Sequence, residues 1–194
     1  MVKNKYKIFL LLMLCLISGG LLNYLAYAQV DNTSIAGMII KDEKLIVHGM
    51  GGGGVLLGST EKDVVMTRAK PAIKTKKTNH DFFKDVLKVE SQVTLPFNYL
   101  YKYNEPECII GFFNSTVEFI VVWDRRCILI EGVPLSQGVM AVVYIYGNYG
   151  LTCLREDNRS LYIYAEKGIA LIDEDNNDTI DGVIIFKTGS QGNR

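Results

Sequence analysis

Four oxygen-bearing side chains at near-regular spacing toward the C-terminal end of the chain could bind a hard cation. They are Asp173, Asp175, Asn177 and Asp181, at positions 1, 3, 5 and 9 of the segment that begins at residue 173. Calcium takes about six to eight oxygen ligands, and alternate side chains of a loop can surround it. In this respect the segment is similar to an EF-hand calcium loop.

The segment also departs from an EF-hand loop at two positions. Asp178 stands at the sixth position, where a glycine makes the sharp turn, and Ile184 stands at the twelfth, where a glutamate closes the site. The flanking residues, 169–172 and 183–186, have the pattern of strands and not of helices. The segment is therefore interpreted as an acidic hairpin turn, with calcium binding as the alternative hypothesis; no other cofactor is predicted.

A run of glycines at residues 51–54 is the second candidate for chemistry. Glycine backbones can approach a ligand closely and present amides to an anion. With Gly58 the spacing imitates the start of a phosphate-binding P-loop, but Ser59 replaces the lysine. With His48 the run resembles the oxyanion loop of esterases in outline, yet the chain has no G-x-S-x-G motif. The run is interpreted as a hairpin connection.

No complete catalytic set is visible in the sequence. The chain has two histidines, His48 and His80, and neither has metal-ligand spacing. A non-enzymatic protein is therefore favoured. The alternative is a small hydrolase that uses His48 or His80 with a nearby carboxylate, which requires that the two groups share a concave pocket.

Three cysteines follow the N-terminal region: Cys108, Cys127 and Cys153. All three lie in apolar runs, which predicts small buried side chains. No pair of them forms a C-x-x-C motif. In an oxidising compartment one pair could form a disulfide, and the sequence leaves open which pair that would be.

The N-terminal segment has the features of a secretory leader. Lys3, Lys5 and Lys7 precede an apolar run, and Ala26 and Ala28 supply the small residues at the cleavage point. We therefore predict that residues 1–28 are a cleaved signal peptide and that the protein is periplasmic, at the cell surface or secreted. Residues 8–28 carry no charge and are long enough to span a bilayer, so a retained membrane anchor is the alternative.

Removing the leader changes the charge of the protein. The whole chain has 21 Lys and Arg against 21 Asp and Glu, and the leader holds three of the lysines and no acid. The remaining residues, 29–194, therefore carry a net charge of about −3, which argues against a nucleic-acid partner. Their number suits one domain, with residues 187–194 predicted to be a flexible tail.

Short β-branched and aromatic runs, separated by turn residues, dominate the chain after residue 35. They are residues 38–40, 45–47, 55–57, 64–66, 108–113, 117–123, 127–130, 139–146, 161–164, 169–172 and 183–186. The pattern predicts a single, mainly β domain: an antiparallel β-sandwich, barrel or meander. The runs after Val117 are apolar on both faces, which predicts a sheet that is covered on both sides, with a face that meets a partner as the alternative.

One segment has a helical pattern. Four apolar side chains between residues 82 and 87 fall on one face of a short helix over residues 80–89, with Asn79 at its start. The lysine-rich stretch before it, residues 68–77, is predicted to be an exposed loop.

Export, dense strands and the lack of a catalytic set favour an exported, non-enzymatic binding or structural module of the periplasm or cell surface. Its partner is a protein or small molecule that the sequence does not name. The two alternatives are the small exported hydrolase and a membrane-anchored subunit of an envelope assembly. Contact with a membrane is expected only if the N-terminal segment is retained.

Overall fold

The computed structural model of the protein describes residues 32–156 and 158–189. The chain divides into two compact units, residues 1–35 and 36–194, and residues 32–35 are the described part of the first. The predicted leader and residues 190–194 of the predicted tail lie outside the described residues. None of the described helices is long and apolar enough to cross a membrane.

The described residues form three α-helices and twelve strands. The helices are α1 (Asn32–Lys41), α2 (Glu61–Arg68) and α3 (Val139–Tyr146). The strands are β1 (Leu45–Val47), β2 (Gly51–Gly52), β3 (Val55–Leu56), β4 (Ile73–Asp81), β5 (Pro96–Asn104), β6 (Glu107–Phe113), β7 (Thr116–Val122), β8 (Ile128–Leu129), β9 (Leu151–Glu156), β10 (Arg159–Tyr164), β11 (Ile169–Asp173) and β12 (Gly182–Phe186). A π-helical turn covers Phe83–Leu87 and a 3₁₀ turn covers Ala165–Lys167.

Eight strands form one large antiparallel sheet in the order β4-β5-β6-β7-β12-β11-β10-β9. It consists of two four-stranded meanders that meet where β7 pairs with β12, with Val122 opposite Val183 and Phe119 opposite Phe186. The edges of the sheet are β4 and β9. The prediction of a mainly β, antiparallel domain is confirmed.

Four short strands form a second sheet in the order β3-β2-β1-β8. In it β1 pairs antiparallel with β2 and parallel with β8. This sheet packs on the large one: a Cβ at Gly52 would lie 3.1 Å from the Ile185 side chain, and a Cβ at Gly53 would lie 3.6 Å from the Cys108 sulfur.

The large sheet is covered on both faces, as predicted. Along β11, Ile169 and Leu171 join a core on the first face, whereas Ala170 and Ile172 join a core on the second. The small sheet, α2 and α3 cover the first face, and residues 82–95 cover the second. Burial on both sides explains why these strands have no polar alternation in the sequence.

Three segments that were predicted as strands are helical, and these predictions are wrong. Residues 38–40 lie in α1, residues 64–66 in α2 and residues 139–146 in α3. For α2 the reason is a capping box: Thr60 and Asp63 exchange side-chain-to-amide hydrogen bonds of 3.1 and 3.3 Å. These bonds satisfy amides that a helix start leaves unpaired.

The predicted short helix over residues 80–89 is present as the π-helical turn Phe83–Leu87, which begins after Phe82 and not after residue 79. The residues before it belong to β4, where His80 pairs with Phe97 of β5. The prediction of an exposed basic loop over residues 68–77 is therefore wrong for Arg68, which ends α2 and is buried, and for residues 73–77, which form an edge strand. Lysine is a common residue on such edges because its charge disfavours pairing with other chains.

Candidate functional site

Helix α3 carries an exposed apolar side and no charge. Val139, Val142 and Val143 are buried against the first face of the large sheet, at the spacing of one helix stripe. Met140 and Tyr144 lie on the other side and are 59% and 92% exposed.

Two more exposed apolar side chains lie in the last turn of α3 and in the loop after it. Ile145 is 46% exposed, and Tyr149, in the loop that leads to β9, is 86% exposed. We call the side chains of Met140, Tyr144, Ile145 and Tyr149 the α3–β9 surface. Exposed large apolar side chains that together form a patch are typical of surfaces that bind a partner.

The N-terminal end of α3 is held by the acidic loop between β11 and β12. The amide of Val139 donates to the Asp178 carbonyl at 2.8 Å, and the amide of Met140 donates to the Asp178 carboxylate at 3.3 Å. Negative charge at the start of a helix is stabilising, because the first amides lack partners within the helix. Gly138 is needed here, since a Cβ at that position would lie 2.7 Å from the Asp178 carboxylate.

The C-terminal end of α3 is held by two tyrosines. The Tyr146 hydroxyl donates to Glu131 at 2.9 Å, and the Tyr164 hydroxyl donates to the carbonyl of Gly147 at 3.1 Å. Their rings meet edge to face at 5.3 Å, and the Lys167 ammonium lies 4.9 Å from the centre of the Tyr146 ring. Both ends of the helix are thus fixed on the sheet.

His48 and Glu131 form a polar pair that contacts Tyr146. His48 Nε2 lies 3.2 Å from the second oxygen of Glu131, and the His48 ring meets the Tyr146 ring at 5.7 Å. Burial by itself raises the pKa of Glu131, but hydrogen bonds from His48 and Tyr146 outweigh it and hold that pKa below the usual range. The carboxylate therefore stays ionised between its two partners.

A depression of about 240 Å³ opens beside the α3–β9 surface. Its lining consists of three tyrosines, a glycine and an acid–base pair: Tyr146, Tyr149, Gly150, Tyr164, Glu166 and Lys167. The hydroxyls of Tyr146 and Tyr164 are already bonded inside the protein, so a ligand would meet tyrosine rings together with the charged ends of Glu166 and Lys167. The depression could hold a single side chain of a partner protein.

Strand β9 follows this loop and forms one edge of the large sheet. Leu151 and Leu154 are half-buried, whereas Thr152, Cys153, Arg155 and Glu156 are exposed. On its inner side β9 pairs with β10 through six unbroken residue pairs. Among the described strands none pairs with its outer side.

Three of the four residues predicted to bind calcium come together. One carboxylate oxygen from each of Asp173, Asp175 and Asp181 lies within 4.8 Å of the others. The fourth, Asn177, is engaged within the loop, because its side-chain amide donates to Asp175 at 2.8 Å.

The oxygens of this acidic cluster already accept hydrogen bonds. Asp173 is buried and accepts from the amides of Asn177 and Asp178, both at 3.1 Å. Asp181 accepts from the Arg125 guanidinium. These bonds are those of an acidic hairpin turn, and calcium binding by the cluster stays a prediction.

The glycine run lies in the hairpin β2–β3, as interpreted from the sequence. A Cβ at Gly51 would lie 2.3 Å from the carbonyl oxygen of Val55. The buried guanidinium of Arg68 donates to the carbonyl of Gly53 and, at 2.8 Å, to that of Glu105. Close packing at Gly51 and the buried Arg68 guanidinium at Gly53 explain why glycines stand here. An anion ligand is not needed to explain them.

The second histidine lies away from the first. His80 Nδ1 lies 2.8 Å from Asp85, and its ring packs 5.9 Å from that of Phe97, a core residue of the second face. A hydrogen bond from the amide of Asp81 and one from His80 hold the pKa of Asp85 below its usual range. His48 belongs to the first face, so the two histidines do not form one site.

The prediction of three buried cysteines is right for two of them. Cys108 and Cys127 are buried in the first-face core, and burial raises their thiol pKa to about 11 and about 12, respectively. Cys153 is exposed, because it lies on an edge strand. All three are free thiols in the structure.

A further polar cluster joins α2 to β4 and β5. Glu61 accepts hydrogen bonds from Lys74 and Tyr99, both at 2.9 Å, and from Tyr101. The Lys74 bond is the main reason that the Glu61 pKa is lowered. Burial and the bond to Glu61 raise the Tyr99 pKa to about 12. These polar side chains are bonded to one another, so the cluster holds α2 against β4 and β5.

The α3–β9 surface was not among the residues singled out from the sequence. A signal for it is present: residues 132–154 contain no Asp, Glu, Lys, Arg or His, in a chain with 22% charged residues. Which of these uncharged side chains face solvent depends on the fold, because Val143 and Tyr144 are neighbours in the chain and differ fully in exposure.

Two solved structures are similar to part of the chain at low sequence identity. No family model and no curated protein sequence match the chain. An extracellular protein containing an SCP domain from Bacillus anthracis str. Ames is 9% identical over 68% of this chain, with a TM-score of 0.44. The uncharacterized protein yfeY from Escherichia coli is 11% identical over 73% of this chain, with a TM-score of 0.44. The chain covers 44% of the first protein and 99% of the second.

Proposed function

We propose that the protein is an exported, non-enzymatic binding module whose α3–β9 surface contacts a partner protein. The observation that carries this proposal is an uncharged helix with its apolar side in solvent, Met140 at 59% and Tyr144 at 92% exposure. Tyrosine and methionine are enriched in protein interfaces, and tyrosine is frequent among the residues that contribute most binding energy.

The fixed ends of α3 support the proposal. Asp178 holds the first turn and Tyr164 holds the residue after the last. A surface that is already ordered loses little conformational entropy on binding, which leaves more of the interaction energy for affinity.

The placement of His48 supports a non-enzymatic role. Glu131 is bonded to both His48 and Tyr146, and neither His48 nor Glu131 lines the depression beside α3. A hydrolase that used this pair would need both groups to face the substrate.

Export rests on the leader-like sequence of residues 1–28. The basic start, the apolar run and the two small residues at 26 and 28 are the three parts of a signal peptide. N-terminal sequencing of the purified protein tests cleavage, and we expect it to begin at Gln29. An intact N-terminus would instead favour the membrane-anchored alternative.

Site-specific photocrosslinking tests the binding role. A photoreactive residue at position 144 of the full chain, in the cells that produce it, is expected to give one discrete crosslinked species. The matched control carries the same residue at Lys62, an exposed position on α2, and is expected to give none. The absence of a discrete species at position 144 would overturn the proposal.

A further inference from the structure

We propose that β9 binds an extended segment of the partner protein as an added ninth strand of the large sheet. This inference rests on the proposed function, since it concerns how the same partner is held. A strand added to a sheet edge gains affinity from main-chain hydrogen bonds and specificity from alternate side chains.

The two edges of the large sheet differ in how they are protected. The β4 edge has a break in its register between Lys76 and His80 and is rich in lysine. Both features are common defences against unwanted strand pairing. The β9 edge has neither: its sequence holds no lysine or proline, and its six pairs with β10 are in continuous register.

Outward-pointing backbone groups on β9 can be identified from the hydrogen bonds. The amide of Leu151 donates to Asn148, and so it points away from β10. Backbone groups alternate in direction along an antiparallel strand, so those of Cys153 and Arg155 also point outward. No backbone hydrogen bond to these two residues is found outside the sheet among the described residues, which leaves their amides and carbonyls open to an added strand.

Charge at the end of β9 defines the chemistry of the partner segment. Arg155 and Glu156 are exposed and lie on opposite faces of the strand. A complementary antiparallel segment would carry, in chain order, a basic residue opposite Glu156, an acidic residue opposite Arg155 and then apolar residues opposite Leu154 to Leu151.

A second copy of this chain does not meet that requirement. When two identical edge strands pair antiparallel about a two-fold axis, each face of the sheet continues across the interface. Because side chains alternate between the two faces along a strand, a residue can lie opposite only a residue whose number differs from its own by an even number. Arg155 of one copy therefore cannot lie opposite Glu156 of the other. A two-fold pair centred on Cys153 would place Arg155 opposite Leu151 and leave the charges unmatched, whereas a segment of a different protein can match both charges and is the occupant in this proposal.

The new strand would be continuous with the surface already proposed. Tyr149 lies two residues before β9 and is 86% exposed, so a partner on the β9 edge would reach it directly. One partner can thus contact the helix and the edge together.

Proline substitution at an outward-pointing position tests the inference. Cys153→Pro removes an amide that faces solvent and keeps the bonds to β10, and edge strands tolerate proline in this position. With the photoreactive residue at 144, we expect the yield of crosslinked partner to fall about tenfold in Cys153→Pro, from the lost bond and the clash of the ring with the added strand. The control Cys153→Ser keeps the amide and is expected to match the parent.

The outcomes separate the two proposals. Crosslinking that is unchanged in a folded Cys153→Pro would overturn strand addition and leave the α3–β9 surface intact, whereas no crosslinking in the parent would overturn both.

If Cys153→Pro does not fold, Arg155→Pro takes its place. If neither folds, amide hydrogen exchange of the unmodified chain decides: partner binding must protect the amides of Cys153 and Arg155 more than those of Thr152 and Leu154, and equal protection would contradict the inference.

Discussion

The carboxylate of Asp178, in the loop between β11 and β12, accepts a hydrogen bond of 3.3 Å from the amide of Met140 in the first turn of α3. The loop that the sequence marks as a calcium candidate therefore also fixes the helix that carries the proposed binding surface. In this loop Asp178 has a positive φ of 68°. Asparagine and aspartate tolerate this backbone conformation better than most residues.

Replacing Asp178 by alanine is expected to loosen α3. The substitution removes the side-chain cap, which by itself costs about 1 kcal/mol of unfolding free energy, and it places alanine at a positive φ, which adds to the loss. Urea denaturation of the full chain measures the effect. Asp175→Ala is the matched control, because Asp175 is exposed and bonds only to Asn177 among the described residues; a larger loss in the control than in Asp178→Ala would contradict the assignment.

The calcium prediction is tested on the same loop by thermal denaturation. A site built from Asp173, Asp175 and Asp181 predicts a higher Tm in millimolar calcium than in chelator, because a ligand that binds only the folded state stabilises it. Asp175→Asn should abolish the difference. Equal Tm values for the parent chain in the two buffers would remove the calcium hypothesis.

The stability of the α3 anchor is expected to depend on pH through Glu131. Its folded-state pKa lies below the ordinary value of 4.5, so the unfolded chain takes up the proton first as the pH falls. Its contribution to stability is therefore complete above about pH 4.5 and is lost as the pH falls through the folded pKa.

Thermal melts between neutral pH and pH 3 measure this contribution. The Tm difference between the parent and Glu131→Gln is expected to be largest near neutrality and to shrink in acid. Glu107→Gln, which breaks a surface pair with Lys102, should change Tm little at any pH. A Glu131→Gln difference that grows in acid would contradict the lowered pKa.

Gly111 in β6 is expected to tolerate no side chain. A Cβ there would lie 2.3 Å from the ring of Phe119, which is fully buried and cannot move aside. Gly111→Ala should cost about 1–3 kcal/mol of unfolding free energy, the usual effect of overpacking. In Gly37→Ala the new Cβ meets no atom within 4 Å, and alanine in a helix interior should stabilise the chain by about 0.5–1 kcal/mol. Urea denaturation of both variants measures the contrast.

The central strands could be predicted from the sequence, and α3 could not. Residues 169–172 and 183–186 are short apolar runs between turn residues, a pattern that fits a sheet with both faces buried. In Val139–Tyr146 every residue is also apolar, so no period distinguishes a helix from a strand. The start of the helix is bonded by Asp178, far along the chain, and no local pattern reveals that contact.

The candidate site was predictable only in part. Alternate spacing identified three carboxylates that converge, Asp173, Asp175 and Asp181. The exposure of Tyr144 and the open edge at β9 depend on sheet order and on which helix face meets the core. Those are properties of the tertiary structure, and sequence periodicity does not carry them.

The most direct test of the binding role is the affinity of the full chain for the partner identified by crosslinking at position 144. Tyr144→Glu places a charge at the centre of the α3–β9 surface without touching the core, since the side chain is 92% exposed. We predict that Kd rises at least about tenfold, as expected for the loss of an interface tyrosine, with Tm unchanged. Lys62→Glu, a charge change on α2, should leave Kd as it is. An unchanged Kd in Tyr144→Glu would contradict the assignment of this surface.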